Sequence, residues 1–435
     1  MRETSAQLGK RPTPKLLELA AVVVTCAVPL ISIPGLTSPF STPKIALLAV
    51  SVVAGLIVLM SCRRAEFRLE SLLQKLAVAW LAVVSASSLW GPIASLKSLL
   101  IALLAPASFL LLTWLKPNPA SLSNALLVSA VAVACIAVAQ YLGLDLFRLM
   151  GWQGAPAGTV RMRTYATLGN PNFVAAFLSC LLPLTWVPRG ERLGSQLVSG
   201  AAALLIAVGI IVTGSRAPIV GAICLVLCAT WLFPSACFRR RIAGLIAISL
   251  LTALIAVLSA GRPIGELIKG RFFIWRIVVS HASVRTLTLG DGPGAFALRY
   301  PEWETRWAAA TPKNQSDWRF LGYQEHAHND WLEVLVEHGI PGFVLLLLIP
   351  VGALWMCAGR RPVHRAPAGA AAGIAVFAGL ACVDFPFHRP AESFVFWTLV
   401  AIIQLSFSGE ESYEPEVQRF KGSKVQRFKG SKVQR

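Results

Sequence analysis

Between Gln324 and Gly342 the chain reads QEHAHNDWLEVLVEHGIPG. His326, His328 and His338 stand here beside Asp330, Glu333 and Glu337, so this one stretch holds three of the chain's six histidines. It lies between long apolar segments, and a polar cluster against a membrane span is costly enough that it usually marks function. Asn329 or Asp330 can cap a short helix, and Gly339 can end it. On that helix Glu333 and Glu337 share one face, while Trp331 and Leu335 share another. His328 then sits at the helix start, where a neutral imidazole can accept a proton from a hydroxyl. The bland alternative is a histidine that caps the helix or pairs with a glutamate. Gly339 and Gly342 read as structural, ending the short helix and letting the chain enter the next span.

Four further constellations carry groups suited to anions. Thr213-Gly214-Ser215-Arg216-Ala217-Pro218 is a tight turn between two apolar runs, and it holds Arg216 as a fixed fork for phosphate or as a snorkelling interfacial arginine. Arg271-Phe272-Phe273-Ile274-Trp275-Arg276 fits an amphipathic helix on the membrane surface; Arg271 and Arg276 can clamp a diphosphate or meet lipid headgroups. The Gly290-Asp291-Gly292-Pro293-Gly294 run downstream is a rigid turn or a phosphate nest. Arg161 and Arg163 approach Gly169-Asn170-Pro171-Asn172, where Asn170 caps a helix with Pro171 at its first position and aims the helix N-terminus at any anion. Asp384-Phe385-Pro386-Phe387-His388-Arg389 forms another turn, whose charges either join the same cavity or make a local salt bridge. Trp303, Trp307 and Trp318 either stack on sugar rings or pack their loop.

These residues need a scaffold, and the composition names it. The chain is 435 residues long, 55% hydrophobic and only 14% charged, against about 25% charged in soluble domains. Apolar runs recur along its length, so the expected fold is an all-α polytopic membrane protein. About twelve transmembrane helices are expected, near 16–34, 44–62, 72–90, 93–115, 122–143, 170–187, 196–213, 217–233, 242–259, 341–358, 366–383 and 392–408. The first run continues into further spans without a small-x-small cleavage site, so no cleavable signal peptide is expected. The net charge of +19 is read as cytoplasmic loops enriched in Lys and Arg rather than as a nucleic-acid surface. Alternate loops collect Arg63, Arg64 and Arg68; Lys116; Arg189 and Arg192; Arg239 to Arg241; Arg360, Arg361 and Arg365. The opposite loops hold only Lys44, Lys97, Arg216 and Arg389 among their short members. That asymmetry puts both termini inside and all five constellations outside.

The expected organisation is a cytoplasmic N-terminus (1–15), nine spans (16–259), one large outer loop with the histidine motif (260–340), three spans (341–408) and a tail (409–435). In the tail VQRFKGSK from Val417 to Lys424 repeats letter for letter from Val425 to Lys432, a pattern that cannot build a core. Most of the nine cysteines sit in apolar runs, which implies neither a disulfide framework nor a zinc site. No carboxylate-rich metal site is evident, so arginine is expected to supply the leaving-group stabilisation that a metal supplies elsewhere. No cofactor is expected.

The motif His328, Asn329, nine residues, Gly339, two residues, Gly342 resembles the histidine motif of the O-antigen ligase and polymerase superfamily of bacterial envelope enzymes. The Ser215-Arg216 turn, the Arg271 segment leading to Gly290–Gly294, and the approach to Asn170 are similar as well. The resemblance implies a C-type membrane glycosyltransferase fold with one large periplasmic loop, in the inner membrane with its active site facing the periplasm. It implies a donor glycan on undecaprenyl diphosphate and metal-independent transfer with inversion. The acceptor is lipid A core, another glycan or protein, which correspond to a ligase, a polymerase and a protein O-oligosaccharyltransferase. By that analogy His328 is the base, Arg216 and Arg271 hold the diphosphate with Arg276 and Arg163, and His326, Asn329, Glu333, Glu337, Gly339, Gly342 and Asn170 support them. Membrane lipids are the surroundings. A transporter or flippase for lipid-linked sugars is the alternative of another class. It would place charges at mid-membrane and break its spans in repeated halves, whereas here polar residues gather at one surface.

Overall fold

A computed structural model describes residues 15–61, 67–90, 94–152, 164–186, 193–216, 221, 223–224, 264–359 and 365–408. The described residues are helical and contain no strand. The helices are α1 (Lys15–Leu30), α2 (Thr42–Ser61), α3 (Leu72–Trp90), α4 (Leu96–Leu115), α5 (Pro119–Tyr141), α6 (Leu146–Leu149), α7 (Pro171–Leu181), α8 (Leu193–Val212), α9 (Ile264–His281), α10 (Val284–Leu289), α11 (Ala295–Ala310), α12 (Asp330–Gly359), α13 (Arg365–Leu380) and α14 (Pro390–Ser408). Short 3-10 turns follow at Leu182–Trp186, Ser316–Phe320 and Pro386–His388.

Seven of these helices are long and apolar enough to cross a membrane: α2, α3, α4, α5, α8, α12 and α14. Pro171–Thr185 and Ala366–Leu380 are shorter apolar helices. With large apolar side chains such as Val50, Val53, Ile57, Leu197 and Leu204 facing outward, this is the architecture of a multi-pass membrane protein. The expected spans at 217–233 and 242–259 lie outside the described residues apart from 221 and 223–224, as do Arg163 and the repeat tail.

Sequence chemistry sets the helix starts. Ser95 accepts from Ser98 N–H at 3.1 Å, Asn118 from Ala120 N–H at 2.8 Å, and Asn170 from Asn172 N–H at 2.9 Å. Each satisfies a donor that the first helical turn leaves open. Pro119 and Pro171 occupy first positions, where the missing N–H costs nothing.

The core sits around α14. Nearly all of its residues from Pro390 to Gln404 are buried, and it packs on α4, α5 and α13. A helix buried on every side needs apolar residues on every side; here Phe394, Phe396, Trp397, Val400 and Ile403 supply them. Segment 264–329 has a small core of its own. Phe273, Ile274, Ile277 and Val278 of α9 meet Phe296, Tyr300 and Trp303 of α11, and Ala327 and Val336 close it. Trp307 lies edge-on to Phe273 at 4.9 Å, and Trp318 donates to the Pro312 carbonyl at 2.8 Å. These tryptophans pack the loop.

α12 is two helices joined at Gly339, whose φ of 66° and ψ of −170° no helix contains. The short helix Asp330–His338 therefore ends where the sequence placed its stop.

Candidate functional site

The histidine segment is built from its backbone upward. Asn329 Oδ1 accepts from Leu332 N–H at 3.1 Å, capping the short helix. Asp330 N–H donates to the Ala381 carbonyl at 2.8 Å, and Trp275 Nε1 donates to the Ala327 carbonyl at 2.9 Å. The segment is thus tied to α13 on one side and to α9 on the other. His328 sits between these ties at φ +50°, a left-handed conformation that non-glycine residues adopt rarely and often at functional sites.

The far end of the short helix is held by Gly290–Gly294. Asp291 and Gly292 donate their amides to the carbonyls of Val336 and Glu337, both at 2.9 Å. A Cβ on Gly290 would lie 2.3 Å from the Glu337 oxygen, and one on Gly339 would lie 2.5 Å from the Thr288 oxygen. Both positions must be glycine, because backbone meets backbone. Of the two readings of this run, the turn holds: these two amides close helix carbonyls and are not open to phosphate. Gly342 is needed for a similar reason, since a Cβ there would fall 2.3 Å from the His338 Cβ.

Three carboxylates and two imidazoles converge on one face of the short helix. Glu333 Oε1 lies 2.7 Å from His326 Nδ1, and Glu333 Oε2 accepts from Ala327 N–H at 2.8 Å. His388 places Nδ1 2.6 Å from Asp330 Oδ1 and Nε2 3.2 Å from Glu337 Oε2. Asp330, Glu333, Glu337 and His388 are all buried. Burial works against a charged His388, yet Glu333, Glu337 and Asp330 hold its imidazole well above the ordinary histidine range. His328 goes the other way. Burial, reinforced by the Arg271 guanidinium and opposed by Asp384, holds it below that range. Its Nδ1 is buried and has no hydrogen-bond partner among the described residues. A neutral ring with an open nitrogen is what a general base requires.

A cavity of about 150 Å³ opens beside this cluster. Its lining includes His326, Phe385, His388 and Arg389, the lysines Lys44 and Lys97, and the acidic Glu325 and Glu392. His326 stacks on Phe385 at 3.9 Å, and His328 meets the same ring edge-on at 5.3 Å. Arg389 is held by Asp384 and Glu392 at 2.5 and 2.9 Å and lies 3.9 Å from the Phe173 ring centroid.

The expected site residues separate accordingly. His326, His328, Asn329, Glu333, Glu337 and the two glycines come together. Arg271 is half-buried on α9 and near enough to act on the charges of His328 and Asp384. Asn170 caps α7, whose Phe173 reaches the cavity. Arg216 is half-buried in the turn after α8. Arg276 is turned outward and paired with Asp317 at 2.5 Å, apart from the histidine cluster. Both readings of the Asp384–Arg389 turn hold at once, since Arg389 makes the local salt bridges while His388 enters the cluster. The sequence offered His388 only as one charge of an outer turn, because only the fold brings it 58 residues back to Asp330. Where the sequence showed no carboxylate-rich metal site, folding brings Glu333, Glu337 and His388 together, with candidate ligand atoms within 4.8 Å of one another.

Residues 201–347 match the O-antigen ligase family model. The matched stretch carries the Arg216 turn, Arg271, the Gly290–Gly294 run and the whole histidine motif, so the superfamily resemblance is supported over the segment that bears the motif. The match ends before the turn holding His388 and begins after Lys44 and Lys97. No curated protein matches the chain.

Proposed function

We propose that this protein transfers a glycan from undecaprenyl diphosphate to an acceptor hydroxyl at the periplasmic face of the bacterial inner membrane, as an O-antigen ligase. The reading includes the full set of about twelve spans and a periplasmic segment 260–340. The observation that carries it is His328: a half-buried imidazole kept neutral, with an open Nδ1 and with Arg271 acting on it. In this reading His328 takes the acceptor proton, and the acceptor oxygen attacks the anomeric carbon from the face opposite the diphosphate. The anomeric configuration therefore inverts. Arg271 and Arg216 neutralise the departing diphosphate, a task that elsewhere falls to a metal ion, so the step needs none. Lys97 adds a lysine ammonium to the cavity wall, whereas Lys44 directs its own to the carbonyls of Ile31 and Thr167.

The test is deletion of the gene followed by a gel of surface glycans, with His328→Ala expressed in the deleted strain. A ligase leaves polymer on its lipid carrier when lost, and His328→Ala is expected to behave as the deletion while still inserting in the membrane. Full glycan attachment in the His328→Ala strain would remove the base. Surface glycan reduced to single repeat units would move the assignment to a polymerase.

A further inference from the structure

A neutral imidazole carries one N–H and can donate from one ring nitrogen only. Both nitrogens of His388 face carboxylates. Nδ1 is 2.6 Å from Asp330 Oδ1, and Nε2 is 3.2 Å from Glu337 Oε2 and 3.5 Å from Glu333 Oε1. Asp330 cannot turn away, because its Oδ2 accepts from Phe387 N–H at 2.7 Å. The ring therefore lies clamped between two parts of the same helix. Beyond it, one oxygen of Glu333 holds His326 and the other holds the Ala327 amide. A buried carboxylate left without a cation is strongly destabilising, and three of them meet here.

We propose that His388 is a positioning residue for glycan transfer: a buried imidazolium that holds Glu333 between itself and His326, and so sets His326 on the cavity wall beside His328. The inference rests on reading this cavity as the transfer site. The charged groups around His388 are Asp330, Glu333 and Glu337 on α12, His326 before it at 5.6 Å between ring centroids, and His338, whose Nε2 is 3.9 Å from Glu337. Arg389 stands next in its own turn, with Asp384 and Glu392 as partners, and Lys44 and Lys97 line the same cavity. Held cationic, His388 offsets one of the three carboxylates and leaves Glu333 free to fix His326. Glu337 Oε1 is buried without a hydrogen-bond partner among the described residues, so the cluster keeps one open acceptor beside a cavity of about 20 Å³, room for a single water.

The experiment is a nitrogen-15 NMR spectrum of the full chain, labelled at its six histidines and held in lipid nanodiscs. At pH about 8 an ordinary histidine, titrating near 6.5, is neutral. One ring with both nitrogens protonated is expected at that pH, and His388→Gln should remove it. No doubly protonated ring in the natural protein overturns the proposal. A stoichiometric divalent metal that disappears with His388→Gln overturns it as well, since the metal would then supply the charge. This spectrum needs no transfer reaction, so it can fail separately from the assignment of the enzyme. The second readout is the pH profile of transfer from membranes carrying lipid-linked glycan. With one buried positive charge gone, neighbouring imidazoles keep their protons to higher pH, so the acidic limb is expected to move up by about one unit in His388→Gln. A rate that falls evenly at every pH, with no shift, would mean a merely structural histidine and overturn the positioning role.

Discussion

Two clusters built on buried carboxylates, one around Asp291 and one around Asp330, Glu333 and Glu337, meet at the histidine helix. In segment 264–329, Asp291 is buried beneath Arg285 and Arg299, at 3.3 and 2.9 Å, and also accepts from Thr286 Oγ1 at 3.0 Å. Its two arginine partners reach solvent, both of its oxygens are bonded, and its backbone amide closes the histidine helix. On that helix, Asp330, Glu333 and Glu337 face histidines instead, at the edge of a cavity, with His328 Nδ1 and Glu337 Oε1 left open. The first cluster is complete within the protein. The second keeps open polar atoms, of which Glu337 Oε1 lies beside the small cavity. Burial of a carboxylate does not distinguish a site from a fastener; open donors and acceptors do.

Removing Arg271 should break the second cluster's function most visibly after His328 itself. Arg271→Ala is expected to lower transfer by roughly 10²–10³-fold, the cost of losing one stabiliser of developing negative charge, while the protein inserts normally; assay of lipid-linked glycan consumption checks this. Breaking the first cluster should cost folding and not chemistry. Asp291→Ala is expected to destabilise by about 2 kcal/mol, since Thr286 loses its buried partner and the two arginines lose theirs, with the pH profile of the remaining activity unchanged. Thermal unfolding in detergent and the profile together test the separation.

The pH profile itself sharpens the contrast. His328 is depressed in the folded protein, so its neutral form persists below the ordinary histidine range. Transfer should hold as pH falls through about 6.5 and fail only lower. The same depression sets a stability sign. Protonation below about 6.5 favours the unfolded chain, so His328 subtracts stability on the acid side and has no effect above it. The smallest effect is expected from Arg276→Ala. That arginine meets Asp317 at an exposed pair, worth up to about 1 kcal/mol, and transfer should change by less than about threefold.

Local chemistry was legible in the sequence, and tertiary chemistry was not. Asn329 as cap, Gly339 as stop, Asn170 with Pro171, and Glu333 with Glu337 on one face all follow from spacing along a single helix. The partners of those glutamates do not. His388 reaches them only because α12, α13 and the 386–388 turn fold together, and no spacing rule spans 58 residues. Lys44 and Lys97 were read as sparse charge on outer turns, whereas Lys44 is buried with its ammonium on the carbonyls of Ile31 and Thr167. The pairing of Arg276 with Asp317 likewise lies beyond what the pattern of α9 can show.

The contact between Gly290 and Gly339 changes how mutational tolerance in this region should be interpreted. Two chain segments approach there without side chains, so any replacement pushes the histidine helix off its seat. A survey of substitutions will find two intolerant positions that touch no substrate. Intolerance in this neighbourhood therefore measures fit as readily as chemistry, and variants of His326, His328 and His388 need a reading of charge or pH beside a reading of growth.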